Sequence, residues 1–188
     1  MEGMNIRHLL VVVLFASTAC AQERYQINAR YSDSGAKKQF SSLGEATVTF
    51  AKIGNSEFGI RVHASVKDPR DGKVFEFDVD NQYVAAGTRI TPERNRGRYN
   101  ENAAEYRPKV ERVLPFIYLV RFGAPGDERT YHFQGGSYTV RQRAADGGVE
   151  ASLYEGDELL GKFQLHGGEY QKFRVETAGK IALTFVRL

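Results

Sequence analysis

FGIRVHASVKDPRDGKVFEFDV, residues 58 to 79, alternates apolar and polar side chains on both sides of a turn. Phe58, Ile60, Val62, Ala64 and Val66 are separated by Arg61, His63 and Ser65, the period of two that a half-buried strand imposes on its sequence. Asp68-Pro69-Arg70-Asp71-Gly72 breaks the pattern with turn-forming residues, and Phe75, Phe77 and Val79 resume it. The stretch therefore reads as a hairpin with one apolar face.

The same pattern extends in both directions. Tyr25, Ile27, Ala29 and Tyr31 alternate with polar residues, residues 36 to 45 read as a polar loop, and Ala46 to Ile53 forms the strand preceding the hairpin. Beyond residue 128, short alternating segments follow at 129–133, 137–143, 149–154, 159–165, 170–176 and 180–188, with glycine-containing turns between them. LPFIYLVRF, residues 114 to 122, is apolar at nearly every position and reads as a central strand buried on both faces. The expected fold is a single all-β domain over 20–188, an antiparallel β-sandwich of about ten strands, with a β-barrel as the alternative.

Between these halves the period is lost. TRITPERNRGRYNENAAEYRPKVER, residues 88 to 112, contains two prolines and dense charge, and reads as a long basic loop. Arg94, Arg96, Arg98, Tyr99 and Arg107 within it are the expected ligand contacts, because guanidinium groups present paired donors to planar oxyanions and tyrosine adds amphipathic area. The competing reading is a solvated loop in which these arginines pair with Glu93, Glu101, Glu105 and Glu111.

The chain has 188 residues, 41% of them hydrophobic and 12% aromatic, with a formal net charge of +3. These values, with a mean hydropathy of -0.44, describe a globular protein able to bury a core, and its modest charge does not point to nucleic acid. Arg7 and His8 precede the apolar run Leu9 to Ala16, which is too short to span a bilayer and has the length of a signal-peptide core. Ser17-Thr18-Ala19-Cys20 resembles a bacterial lipobox, although Ser17 occupies the place usually held by leucine. That resemblance implies a signal peptide over 1–19, lipidation of Cys20 and an outer membrane lipoprotein facing the periplasm. The alternative is ordinary cleavage after Ala21, giving a soluble periplasmic or secreted protein. Cys20 is the only cysteine, so no intrachain disulfide is available.

No catalytic or cofactor signature is present. His63, His132 and His166 lack the short spacings of zinc motifs, Asp68, Asp71, Asp78 and Asp80 lack the spacing of a calcium loop, and no G-x-S-x-G occurs. Tyr118, Tyr131, Tyr138 and Tyr154 suit either core packing or the lining of a groove or barrel mouth. VEASLYEGDELLGKFQLHGGEYQKFRVETAGKIALTFVR, residues 149 to 187, resembles the small PEGA-type β modules of bacterial envelope proteins in its hairpin spacing; it lacks their defining tetrad, so no site residue carries over. The expectation is an exported, non-catalytic binding or accessory module without metal or cofactor, whose partner is an anionic ligand or an acidic protein surface. A proteinaceous inhibitor of a secreted hydrolase such as lysozyme, and a glycan or cell-wall hydrolase with dispersed carboxylates, are the alternatives.

Overall fold

The computed structural model describes residues 22–33, 38–68, 71–123, 126–177 and 181–188. Residues 1–19 and Cys20, the expected signal peptide and lipidation site, lie outside them. The first meander runs from β1 (Gln22–Asp33) through β2 (Lys38–Lys52), β3 (Glu57–Lys67) and β4 (Val74–Ala86) to β5 (Arg89–Tyr99). A short 3-10 turn, Ala104–Tyr106, leads into the helix α1 (Arg107–Phe122). The second meander comprises β6 (Glu128–Phe133), β7 (Gly136–Ala145), β8 (Gly148–Glu155), β9 (Glu158–His166), β10 (Glu169–Thr177) and β11 (Ile181–Arg187).

The all-β expectation holds, and of its two architectures the barrel is the one formed. β1 pairs with β11 from Tyr25 opposite Arg187 to Tyr31 opposite Ile181, so the sheet closes on itself. Sandwiches and barrels share the alternation that the sequence displays; only the pairing of the first and last strands distinguishes them. A Cβ on Gly44 of β2 would stand 2.3 Å from the Ser65 carbonyl oxygen, so glycine permits the close approach of β3. The segment 38–45, read from its polarity as loop, is the first half of β2 and pairs with β1.

The stretch read as a central strand, Leu114 to Phe122, is instead the second half of α1. Val113 to Val120 are all buried, because the helix has barrel wall around it. Its Phe116 ring meets Tyr131, Phe133 and Tyr138 of β6 and β7, while Tyr118 stacks on Phe58 of β3. A helix enclosed on all sides has no polar face, so its sequence loses the period of 3.6 and matches a strand buried on both faces.

The long basic loop at 88–112 is likewise corrected, to β5, the 3-10 turn and the first residues of α1. β5 shows no alternation because both of its faces meet polar groups. Arg96 and Arg98 are exposed and Arg94 is half-buried, and Asn95 on the other face donates to Glu111 of α1 at 3.3 Å. A slip in register between Gln82 and Tyr83 adds a further interruption opposite Pro92 and Arg94. β5 and β6 run parallel and pair only through Arg89–His132 and Ile90–Phe133, so the connection between them must cross over, and α1 makes that crossing. The segment is thus wall and lumen of the barrel.

Candidate functional site

α1 ends where β1 begins and β2 turns into β3. Arg121, in the last turn, has a side chain 9% exposed and is ion-paired with Glu23 of β1, which is 3% exposed. The Arg121 Nε donates to the Gly168 carbonyl at 3.1 Å, its Nη2 lies 4.0 Å from Glu169, and its guanidinium sits 4.9 Å from the Phe50 ring centroid and 4.8 Å from that of Phe122. The Tyr25 hydroxyl donates to the other carboxylate oxygen of Glu23, and the Tyr170 hydroxyl donates to the Ile117 carbonyl. Burial first, then the hydrogen bond and negative charge of Glu23, push the Tyr25 hydroxyl well above the usual tyrosine range. A cation here also opposes the negative end of the helix dipole.

Beside this buried cluster lies a pocket of about 550 Å³ between the end of α1 and the β2–β3 turn. Phe50, Phe58, Tyr118 and Phe122 form its aromatic walls, and Lys52, Asn55, Ser56 and Glu57 its rim. Tyr118 stacks on Phe58 at 4.3 Å, Phe122 meets Phe50 at 5.5 Å and Tyr118 at 4.8 Å, and Phe122 remains 49% exposed. An open concavity of this size with aromatic walls has the properties of a small-ligand site. The exposed Ile53 flanks it on the same turn.

The five residues expected to contact a ligand are divided between two places. Arg94, Arg96 and Arg98 lie on the outer wall, where Arg94 bonds Asp80 at 2.8 Å and Arg61 bonds Asp78 at 3.3 Å. Among the described residues Arg96 and Arg98 have no ion pair. Tyr99 stacks on Phe77 at 5.8 Å near the start of α1, and Arg107 sits over the Tyr99 ring while bonding Glu111 at 2.8 Å. Tyr131 and Tyr138 pack in the core and Tyr118 serves both core and pocket, whereas Tyr154 points outward. His63, His132 and His166 are exposed on separate strands, and no group of three His, Cys, Asp or Glu able to hold a metal occurs among the described residues. Phe50, Phe122 and Arg121 leave no local sequence signal of a site, because only the helix brings them together and its apolar run matches a strand.

The fold and pocket define a helix-filled β-barrel with an aromatic mouth. No protein-family model matches the chain, and no curated protein matches it. Among solved structures, a DUF1329 family protein from Desulfovibrio piger is similar over 91% of this chain and 85% of its own, with a TM-score of 0.36 and 8% identity. A putative outer membrane lipoprotein-sorting protein domain from Vibrio parahaemolyticus is similar over 88% and 83%, with a TM-score of 0.27 and 10% identity. Likenesses at this level say nothing about function.

Proposed function

We propose that this protein is an exported, non-catalytic binding module of the bacterial envelope, tethered by lipid at Cys20, whose mouth pocket receives the apolar part of a ligand. The observation that carries the reading is the aromatic pocket at the end of an otherwise helix-filled barrel. Its cluster of Glu23, Arg121 and Tyr25 is internally satisfied, which suits a rigid wall better than a reacting centre. Gln22, opposite Thr49 at the mouth end of the barrel, follows Cys20 by two residues, a reach of at most about 7 Å. A lipid on Cys20 would therefore hold the mouth, with exposed Phe122 and Ile53, beside the bilayer.

Two measurements test this reading. Mass spectrometry of the mature N-terminus is expected to find diacylglycerol on Cys20; a chain beginning at Gln22 would remove the tether. A dansylated fatty acid should bind the purified barrel and bind more weakly to Phe122→Ala, a change at a half-exposed ring that leaves urea unfolding nearly unchanged. Equal binding by wild type, Phe122→Ala and Tyr118→Ala would exclude the pocket.

A further inference from the structure

The outer wall formed by β7 to β10 carries a shallow concavity of about 650 Å³ that shares no lining residue with the mouth pocket. Two rows of side chains cross it, in register on four successive strands. Arg141, Ser152, Lys162 and Arg174 form one row, and Arg143, Glu150, Gln164 and Lys172 the other. At about 4.8 Å per strand, each row is about 14 Å long. Five cations thus face one carboxylate, more than the formal excess of +3 carried by the whole chain.

Part of this charge is already neutralised. Arg143 pairs with Glu150 at 2.5 Å, and Arg141 pairs with Glu128 of β6 at 2.9 Å while lying 4.9 Å from the Tyr154 ring centroid. Lys162 and Lys172 have no carboxylate within ion-pairing distance among the described residues. Lys162 stands directly opposite Arg174 across the β9–β10 ladder.

We infer that this wall is a binding surface for an acidic polysaccharide, a sugar chain bearing carboxylates or other oxyanions. Cations spaced along a row match charges repeated along a chain. Ser152 and Gln164, set among them, offer neutral hydrogen bonds to hydroxyl groups, and Tyr154 offers an amphipathic ring. A concave wall touches a flat bilayer only at its rims, so a membrane surface fits it less well. The expectation of an anionic partner is thereby placed on β7 to β10, away from the β5 arginines.

The test uses the full mature chain with fluorescent polygalacturonate oligomers, with dextran of matched length as the neutral control and phosphatidylglycerol vesicles as the competing anionic surface. Wild type should bind polygalacturonate in a salt-sensitive manner and ignore dextran. Lys162→Gln with Lys172→Gln should weaken binding by roughly tenfold or more, since each charged hydrogen bond is worth about 1.5–3 kcal/mol and about 1.4 kcal/mol is tenfold. Thermal unfolding of this variant should occur at about the same temperature, because both lysines are exposed; a lower one together with lost binding would mark a structural role and overturn the proposal. Binding unaffected by the two substitutions, equal binding to dextran, or capture of the vesicles without the oligomers would each overturn it as well.

Discussion

Arg121 anchors the end of α1 to β1 and to the β9–β10 turn from inside the barrel. Its guanidinium and the Glu23 carboxylate are both withdrawn from water, so each depends on the other to offset its desolvation. Arg121→Met, which keeps much of the side-chain volume, should leave Glu23 as an unpaired buried charge and cost about 3–5 kcal/mol in urea unfolding. Glu23→Gln combined with Arg121→Met removes both charges and should recover most of that loss. If the single and double variants unfold at the same urea concentration, the pair does not couple the helix to the wall.

Among the elements, α1 departs furthest from what its sequence suggests and contributes most to filling the lumen. Phe116, fully buried among three rings of β6 and β7, should cost about 3–5 kcal/mol when changed to alanine, read as a lower urea midpoint. A loss under about 1 kcal/mol would show that the helix does not pack there as described. The ten other strands, apart from the polar first half of β2, were legible because they set an apolar face against a wet one, as in Phe58 to Val66. α1 and β5 were not, because their surroundings are uniform on both sides: apolar around Val113 to Val120, and polar around Arg94 to Arg98. Two residues did carry the missing signal. Pro115 lies inside the apolar run, and a proline cannot donate to the ladder of a central strand; Pro108 stands at the first turn of α1, where its lack of an N–H costs nothing. The basic rows were hidden for another reason, since Arg141, Lys162 and Arg174 are distant in sequence and meet only through strand register.

At the scale of the whole molecule, the tyrosines link the barrel's integrity to pH. Burial, reinforced by the hydrogen bond and charge of Glu155, pushes the Tyr138 hydroxyl up to about 12, and burial raises those of Tyr25, Tyr83, Tyr99 and Tyr170 further. An unfolded tyrosine ionises near pH 10. Above about pH 10 the unfolded chain has therefore released protons that the folded barrel retains, so stability falls as pH rises through that value and is unaffected by these groups below it. Urea midpoints should be flat up to that point and then decline, with phenolate absorbance from these side chains appearing together with unfolding. Ionisation of all ten tyrosines near pH 10 with the barrel intact would contradict the burial described.

Because β1 finds its second neighbour only in β11, the cylinder cannot be shut before residues 181–187 have been made. Its opening meander must wait, with its inner surface uncovered, for residues more than a hundred positions downstream. Until that strand is made the chain stays open and threadable, which suits the export proposed for it.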